Sequence, residues 1–151
     1  MPNWCHNRIT IYGDSETESK LKEIEEIFEK ADPFNQIFPI PDFKNIPDEK
    51  GELPKLEQRL NPDGSVFYET YNFPDGTNDD RWYHWCVDNW GTKWEPDMHD
   101  IDYEDSEILA LTFNTAWSPP EGVVDKLRKK YPELSFQCFY DEPGMESAGY
   151  Y

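Results

Sequence analysis

Three kinds of side chain in this sequence could do chemistry. Histidines and cysteines could hold a metal, carboxylates could move protons or carry charge, and tryptophans could stack on a flat or cationic ligand. The metal reading fails on spacing. His6, His84 and His99 with Cys5, Cys86 and Cys138 form no Cys-x-x-Cys or His-x3-His pair of the zinc kind. Alternation on a strand would send Cys5 and His6 to opposite faces. No metal is expected. Catalysis needs a nucleophile with a base, or paired acids of shifted pKa. No Ser/His/Asp, P-loop or dinucleotide-binding glycine motif is present. Carboxylates are so plentiful that any pair could be nominated, which empties each nomination of weight. No enzyme, no catalytic residue and no cofactor are expected.

The carboxylates matter instead as charge. Asp and Glu number 32 against 14 Lys and Arg, a formal charge of -18. Such a field repels DNA, RNA and anionic lipid and attracts basic protein surfaces. Its bland counterpart is simple solubility or a halophilic host. Direct nucleic-acid binding is disfavoured, because it needs Lys/Arg clusters that release counterions. The nearest candidate, Lys126, Arg128, Lys129 and Lys130, reads as a solvated face at the C-terminal end of a helix. The acid is concentrated between Glu95 and Glu107, where no Lys or Arg interrupts it. On an extended strand Asp100, Asp102 and Glu104 share a face at a spacing of about 6.7 Å, comparable with successive phosphates along a nucleic-acid strand. Asp97, Asp100, Asp102, Glu104 and Asp105 are therefore the candidate partner-binding residues. The competing reading is an edge strand charged against aggregation. Glu16, Glu18, Glu23, Glu25, Glu26 and Glu29 add a second acidic surface on the first helix.

The tryptophans fall in three pieces: Met1-Pro2-Asn3-Trp4-Cys5, Asn89-Trp90-Gly91-Thr92-Lys93-Trp94, and Thr115-Ala116-Trp117-Ser118-Pro119-Pro120. Trp4, Trp90, Trp94 and Trp117 with Lys93 could form a ligand cage. The reading preferred here is a core cluster in a domain short of aliphatics, with Asn7, Asn89 and Lys93 as polar partners. The hydrophobic fraction is only 36%, but six Trp, nine Tyr and nine Phe supply large buried area per residue.

The elements that must position these residues follow from periodicity. Arg8–Tyr12 alternates as a strand and ends at Gly13. Ser15-x-x-Glu18 reads as a capping box, and Leu21, Ile24, Ile27, Phe28 and Ala31 form one helical stripe. Residues 33–78 hold seven of the 13 prolines, which exclude long helices and central strands. Phe34, Ile37, Phe38 and Ile40 anchor that stretch, Val66–Tyr71 forms a short strand, and the whole reads as an insertion. A short helix from Asp79 or Asp80 carries Trp82, Trp85, Cys86 and Asn89, with Gly91 as its cap. Residues 95–105 read as an acidic strand and Ile108–Phe113 as a buried one. Ser118-Pro-Pro-Glu121 opens a helix that carries Val123, Val124, Leu127 and Tyr131 inward. Leu134–Tyr140 is the last strand. The expected fold is α+β: one ferredoxin-like βαββαβ domain over residues 1–151, with a Pro-rich insertion at 33–78 after the first helix.

The same residues carry a resemblance. The opening Met1–Asn7 segment, Phe38-Pro-Ile-Pro41, Asn89–Trp94, Thr115–Pro120 and the Tyr140-x-Glu-Pro-Gly144 turn resemble the YubB-like family of phage, prophage and plasmid proteins, described as ferredoxin-like. The resemblance implies a fold and a mobile-element origin; it implies no reaction. Family members continue past the Glu-Pro-Gly turn, whereas this chain stops at Gly149-Tyr-Tyr151. That departure implies an absent closing strand or a shortened chain.

Three cysteines, no leader pattern and no apolar run of about 20 residues lead us to expect a cytoplasmic protein away from membranes. The functional expectation is a non-enzymatic protein that binds a basic host protein. Its concrete form is an inhibitor of a nucleic-acid-binding defence enzyme, anti-CRISPR or anti-restriction, that uses DNA-mimicking charge. The alternative is a small-molecule or nucleotide-binding domain built on the tryptophan cluster and Lys93.

Overall fold

The computed structural model describes residues 2–151, so Met1, the first residue of the tryptophan signature, lies outside the described residues. The chain divides into two units, Met1–Pro39 with Cys86–Tyr151, and Ile40–Trp85.

The first unit is built on β1 (Trp4–Tyr12), whose alternation assigns its two faces. Cys5, Ile9 and Ile11 are buried with Asn7 on one side, while His6, Arg8 and Tyr12 alternate with them on the other. β1 pairs antiparallel with β5 (Ile108–Ala116) and with β6 (Ser135–Glu142), placing Ile9 between Leu111 and Cys138. β4 (Asp97–Asp105) adds to β5, and β7 (Ser147–Tyr150) adds to β6. The sheet order is β4-β5-β1-β6-β7. Two helices, α1 (Glu18–Phe28) and α4 (Glu121–Lys130), bury Leu21, Ile24, Phe28, Val123, Val124 and Leu127. Phe28 stacks on Phe113 of β5 at 6.0 Å, and Arg128 of α4 donates to the Phe136 carbonyl of β6 at 3.3 Å. The short α2 (Pro33–Ile37) brings Phe34 edge-on to Phe113 and Trp90. The helices thus cover one face of the sheet.

Several expectations need correction. Neither capping box forms. α1 begins at Glu18 after Thr17, with no side-chain cap; Thr17 Oγ1 instead accepts from the Asp14 N–H at 2.8 Å. A local turn from Asp14 to Thr17 has taken the hydroxyl that a cap would use. α4 begins after Pro120, and Ser118 Oγ donates to the Gly91 carbonyl rather than capping. The sheet also has a closing strand: Glu142 accepts from the Met145 N–H, the chain turns through 143–145, and β7 returns against β6.

The second unit holds a hairpin, β2 (Lys55–Leu60) paired with β3 (Val66–Asn72). The sequence pattern showed only the second of these strands, because every residue of β2 is exposed and no inward face imposes alternation. The helix α3 (Arg81–Asn89) runs from this unit into the first. Among the described residues no helix is long and apolar enough to cross a membrane.

Candidate functional site

With helices on one face, the other face of the five-stranded sheet is open. Register puts His6, Arg8, Thr10 and Tyr12 of β1 there, beside Gln137, Phe139 and Asp141 of β6 and Tyr150 of β7. The rings of Phe139 and Tyr150 meet at 5.2 Å and 64°. His6 Nδ1 lies 2.6 Å from Asn114 Oδ1, and the Tyr12 hydroxyl donates to Gln137 Oε1 at 3.3 Å.

The acidic strand β4 is the edge of this face, and two bulges decide where its carboxylates go. Pairing skips His99 between Met98 and Asp100, and skips Glu104 between Tyr103 and Asp105. Met98, Ile101 and Tyr103 oppose Phe113, Leu111 and Leu109, which are core residues. Asp97, Asp100, Asp102 and Asp105 oppose Asn114, Thr112, Ala110 and Ile108 and so share the open face. The simple alternation Asp100, Asp102, Glu104 therefore needs amendment, since a bulge inserts one extra residue and resets the phase. Glu104 is an inserted residue, and it accepts from Arg8 Nη2 at 3.2 Å. Asp105 accepts the Glu107 N–H at 2.7 Å, closing the turn to β5. Among the described residues, Asp97, Asp100 and Asp102 have no ion-pair partner within 4.0 Å. Glu95 is not part of this surface. Its two oxygens accept the N–H groups of Phe34 and Asn35 at 2.7 and 3.0 Å, satisfying the open end of α2 from 60 residues away. Burial pushes its pKa up against those two bonds.

The tryptophans have separate fates. Trp90 is 1% exposed and its indole N–H donates to the Phe38 carbonyl at 2.8 Å. Trp94 and Trp117 are 40% and 45% exposed, and Trp4 is half-buried. The core reading thus holds for Trp90 and fails for Trp94 and Trp117. Lys93 lies over the Trp94 ring at 4.2 Å. Trp117 has φ 70°, a conformation costly for a bulky residue, held by its N–H on the Asn3 carbonyl at 2.9 Å. What the three signature pieces share is a junction. Thr92 Oγ1 donates to the Ala116 carbonyl at 2.8 Å, Gly122 N–H to the Trp90 carbonyl at 3.1 Å, and Asn7 Nδ2 to Thr115 Oγ1 at 2.9 Å. The polar residues Asn7, Thr92 and Thr115 are buried there and hydrogen-bonded: the Tyr151 hydroxyl donates to Asn7 Oδ1 at 2.8 Å, and Thr115 Oγ1 donates to the Ser118 carbonyl at 2.7 Å.

The basic patch on α4 is engaged internally in part. Arg128 donates to the Phe136 and Tyr151 carbonyls, and Lys126 lies over Phe38 at 4.5 Å. In the second unit, Asp79 and Arg81 make a two-point ion pair at 2.8 and 2.9 Å, and Arg81 also donates to the Phe43 carbonyl at 2.7 Å. That cluster organises the loop. Sequence reasoning missed it, although Asp79-x-Arg81 ahead of a helix was a visible signal.

Residues 89–151 match a family model described as the ferredoxin-like domain in Api92-like protein. The whole chain is similar in fold to the crystal structure of a protein api92 from Yersinia pseudotuberculosis, with 12% identity, a TM-score of 0.53, and coverage of 99% of this chain and 93% of that one. No curated protein is matched by the chain. This part of the chain is therefore a ferredoxin-like domain, and the likeness across the whole chain is one of fold alone.

Proposed function

We propose that this protein is a non-enzymatic binding protein that offers the open face of its five-stranded sheet to a basic partner protein. The observation that carries the reading is the set Asp97, Asp100 and Asp102: exposed, on one face of one strand, and without ion-pair partners among the described residues. A net charge of -18 steers a basic protein towards that face and nucleic acid away from it. The resemblance to YubB-like proteins extends the proposal to a phage or plasmid protein acting in the host cytoplasm. Its partner is then a defence enzyme whose nucleic-acid groove is lined with Lys and Arg, as in a CRISPR effector or a restriction enzyme. Asp97, Asp100 and Asp102 would occupy the positions of phosphates in that groove. The tryptophan-cage alternative has less support, because Trp90 is buried and Lys93 is stacked on Trp94.

The test is a capture experiment from lysates of bacteria that carry such enzymes. It compares wild type with the variant Asp97→Lys, Asp100→Lys, Asp102→Lys. A nuclease retained by wild type at low salt, released by duplex DNA or high salt, and lost by the variant is the expected result. Equal retention of that nuclease by the variant would overturn the reading.

A further inference from the structure

Next to the acidic strip, the open face contains a slot of about 320 Å³ with two chemically different walls. One wall is aromatic: Phe139 and Tyr150, exposed by 38% and 71%. The other is the Glu104 carboxylate. Arg8 of β1 reaches across β5 to place Nη2 3.2 Å from Glu104 Oε1. The slot thus already holds a guanidinium of the chain itself on its carboxylate wall. Both side chains are well exposed, at 62% and 45%, and an exposed pair of this kind is weak enough to exchange with an outside competitor.

We infer that the slot takes an arginine side chain of the basic partner, which replaces Arg8 on Glu104 and stacks against Phe139 and Tyr150. The inference rests on the reading of the acidic sheet face as a surface for a basic protein. Charge selects the occupant. Arg8 is the sole Lys or Arg among the described residues of the five strands, facing Asp97, Asp100, Asp102, Glu104, Asp105 and Asp141. A nucleic-acid strand would bring phosphates into that field. Geometry selects arginine over lysine. A planar guanidinium can fork onto a carboxylate and lie on an aromatic ring at once, whereas an ammonium is a compact, strongly hydrated charge. Asp100 and Asp102 then receive neighbouring basic residues of the same segment.

The test uses the full chain at low salt and three fluorescent probes: an arginine-serine nonapeptide, its lysine counterpart, and a single-stranded oligothymidylate. Wild type should bind the arginine peptide about three-fold or more tighter than the lysine peptide, the increment expected from ring stacking. Phe139→Ala and Tyr150→Ala should abolish that preference while leaving lysine-peptide binding unchanged. Arg8→Gln should tighten arginine-peptide binding more than Lys22→Gln, which removes the same charge from the exposed face of α1. Equal affinity for both peptides in wild type and in Phe139→Ala overturns the slot and leaves the acidic-face reading standing. Failure of both peptides to bind overturns both. Binding of the oligothymidylate that is lost in Phe139→Ala would assign the rings to bases and overturn the slot for arginine.

Discussion

Gly122 at the start of α4 sits directly on the carbonyl of Asn89 at the end of α3: a Cβ built on Gly122 would lie 1.6 Å from Asn89 O and 2.8 Å from its carbonyl carbon. The close approach lets the Gly122 N–H reach the Trp90 carbonyl at 3.1 Å, and it fixes the junction where the tryptophan signature converges. The obstruction is backbone, so no rotamer change relieves it. Gly122→Ala should therefore cost about 3 kcal/mol or more, at the upper end for overpacking. Urea unfolding with an unchanged m-value reads this directly, and a loss of less than about 0.5 kcal/mol, the range of ordinary surface substitutions, would contradict the contact.

The three cysteines should be inert in the folded protein. Cys5, Cys86 and Cys138 are each no more than 1% exposed. Burial pushes each thiol up to about 11, so at pH 8 roughly one in a thousand is thiolate. A disulfide-exchange reagent should find no fast thiol in the native protein and three in denaturant. One fast native thiol would show that a strand or α3 opens readily.

Much of the first unit was legible from periodicity. The strand at Ile108–Phe113 and the helix stripe from Leu21 to Phe28 show because burial on one side imposes a pattern. The acidic strand was visible too, but not the placement of its carboxylates, since bulges at His99 and Glu104 leave no mark in composition. Long-range polar contacts were equally silent. Glu95 looks like one more acid in an acidic run, and only the fold brings it to the N-terminus of α2. The capping boxes misled because Thr17, not Ser15, takes the N-cap position of α1 with its hydroxyl held by Asp14, and because Ser118 Oγ donates to the Gly91 carbonyl. In the hairpin, β2 could not be read, since a strand exposed on both faces has no reason to alternate.

Asp79 gives the second unit a defined acid limb. The paired Arg81 guanidinium, against burial, holds its carboxyl below the ordinary range. A depressed carboxylate contributes stability above its unfolded pKa and loses it as pH falls through the folded value. Asp79→Asn should cost about 2 kcal/mol at neutral pH, the scale of a hydrogen bond to a charged group. The gap between wild type and variant should close as the pH is taken below about 3.9, the ordinary aspartate value. A gap that persists unchanged in acid would mean that the pair contributes through packing and not through charge.

Glu95 should behave in the opposite sense, although it is also a carboxylate with two good hydrogen bonds, half-buried where Asp79 is buried. Its donors are the neutral N–H groups of Phe34 and Asn35, and no cation offsets its desolvation, so its pKa is raised. The folded state then binds a proton more tightly than the unfolded chain. Stability falls as pH rises from the unfolded value near 4.3 through the raised folded value, and stays lower beyond it. Glu95→Gln keeps one acceptor for α2 and removes the titration. The stability of wild type relative to Glu95→Gln should therefore be greatest in acid and decline across that window. Asp79→Asn measured in parallel shows the reverse slope, which separates the two carboxylates from the general effect of an acidic chain losing its net charge. A wild-type advantage over Glu95→Gln that grows with pH would mean that the helix N-terminus stabilises the anion by more than burial costs it.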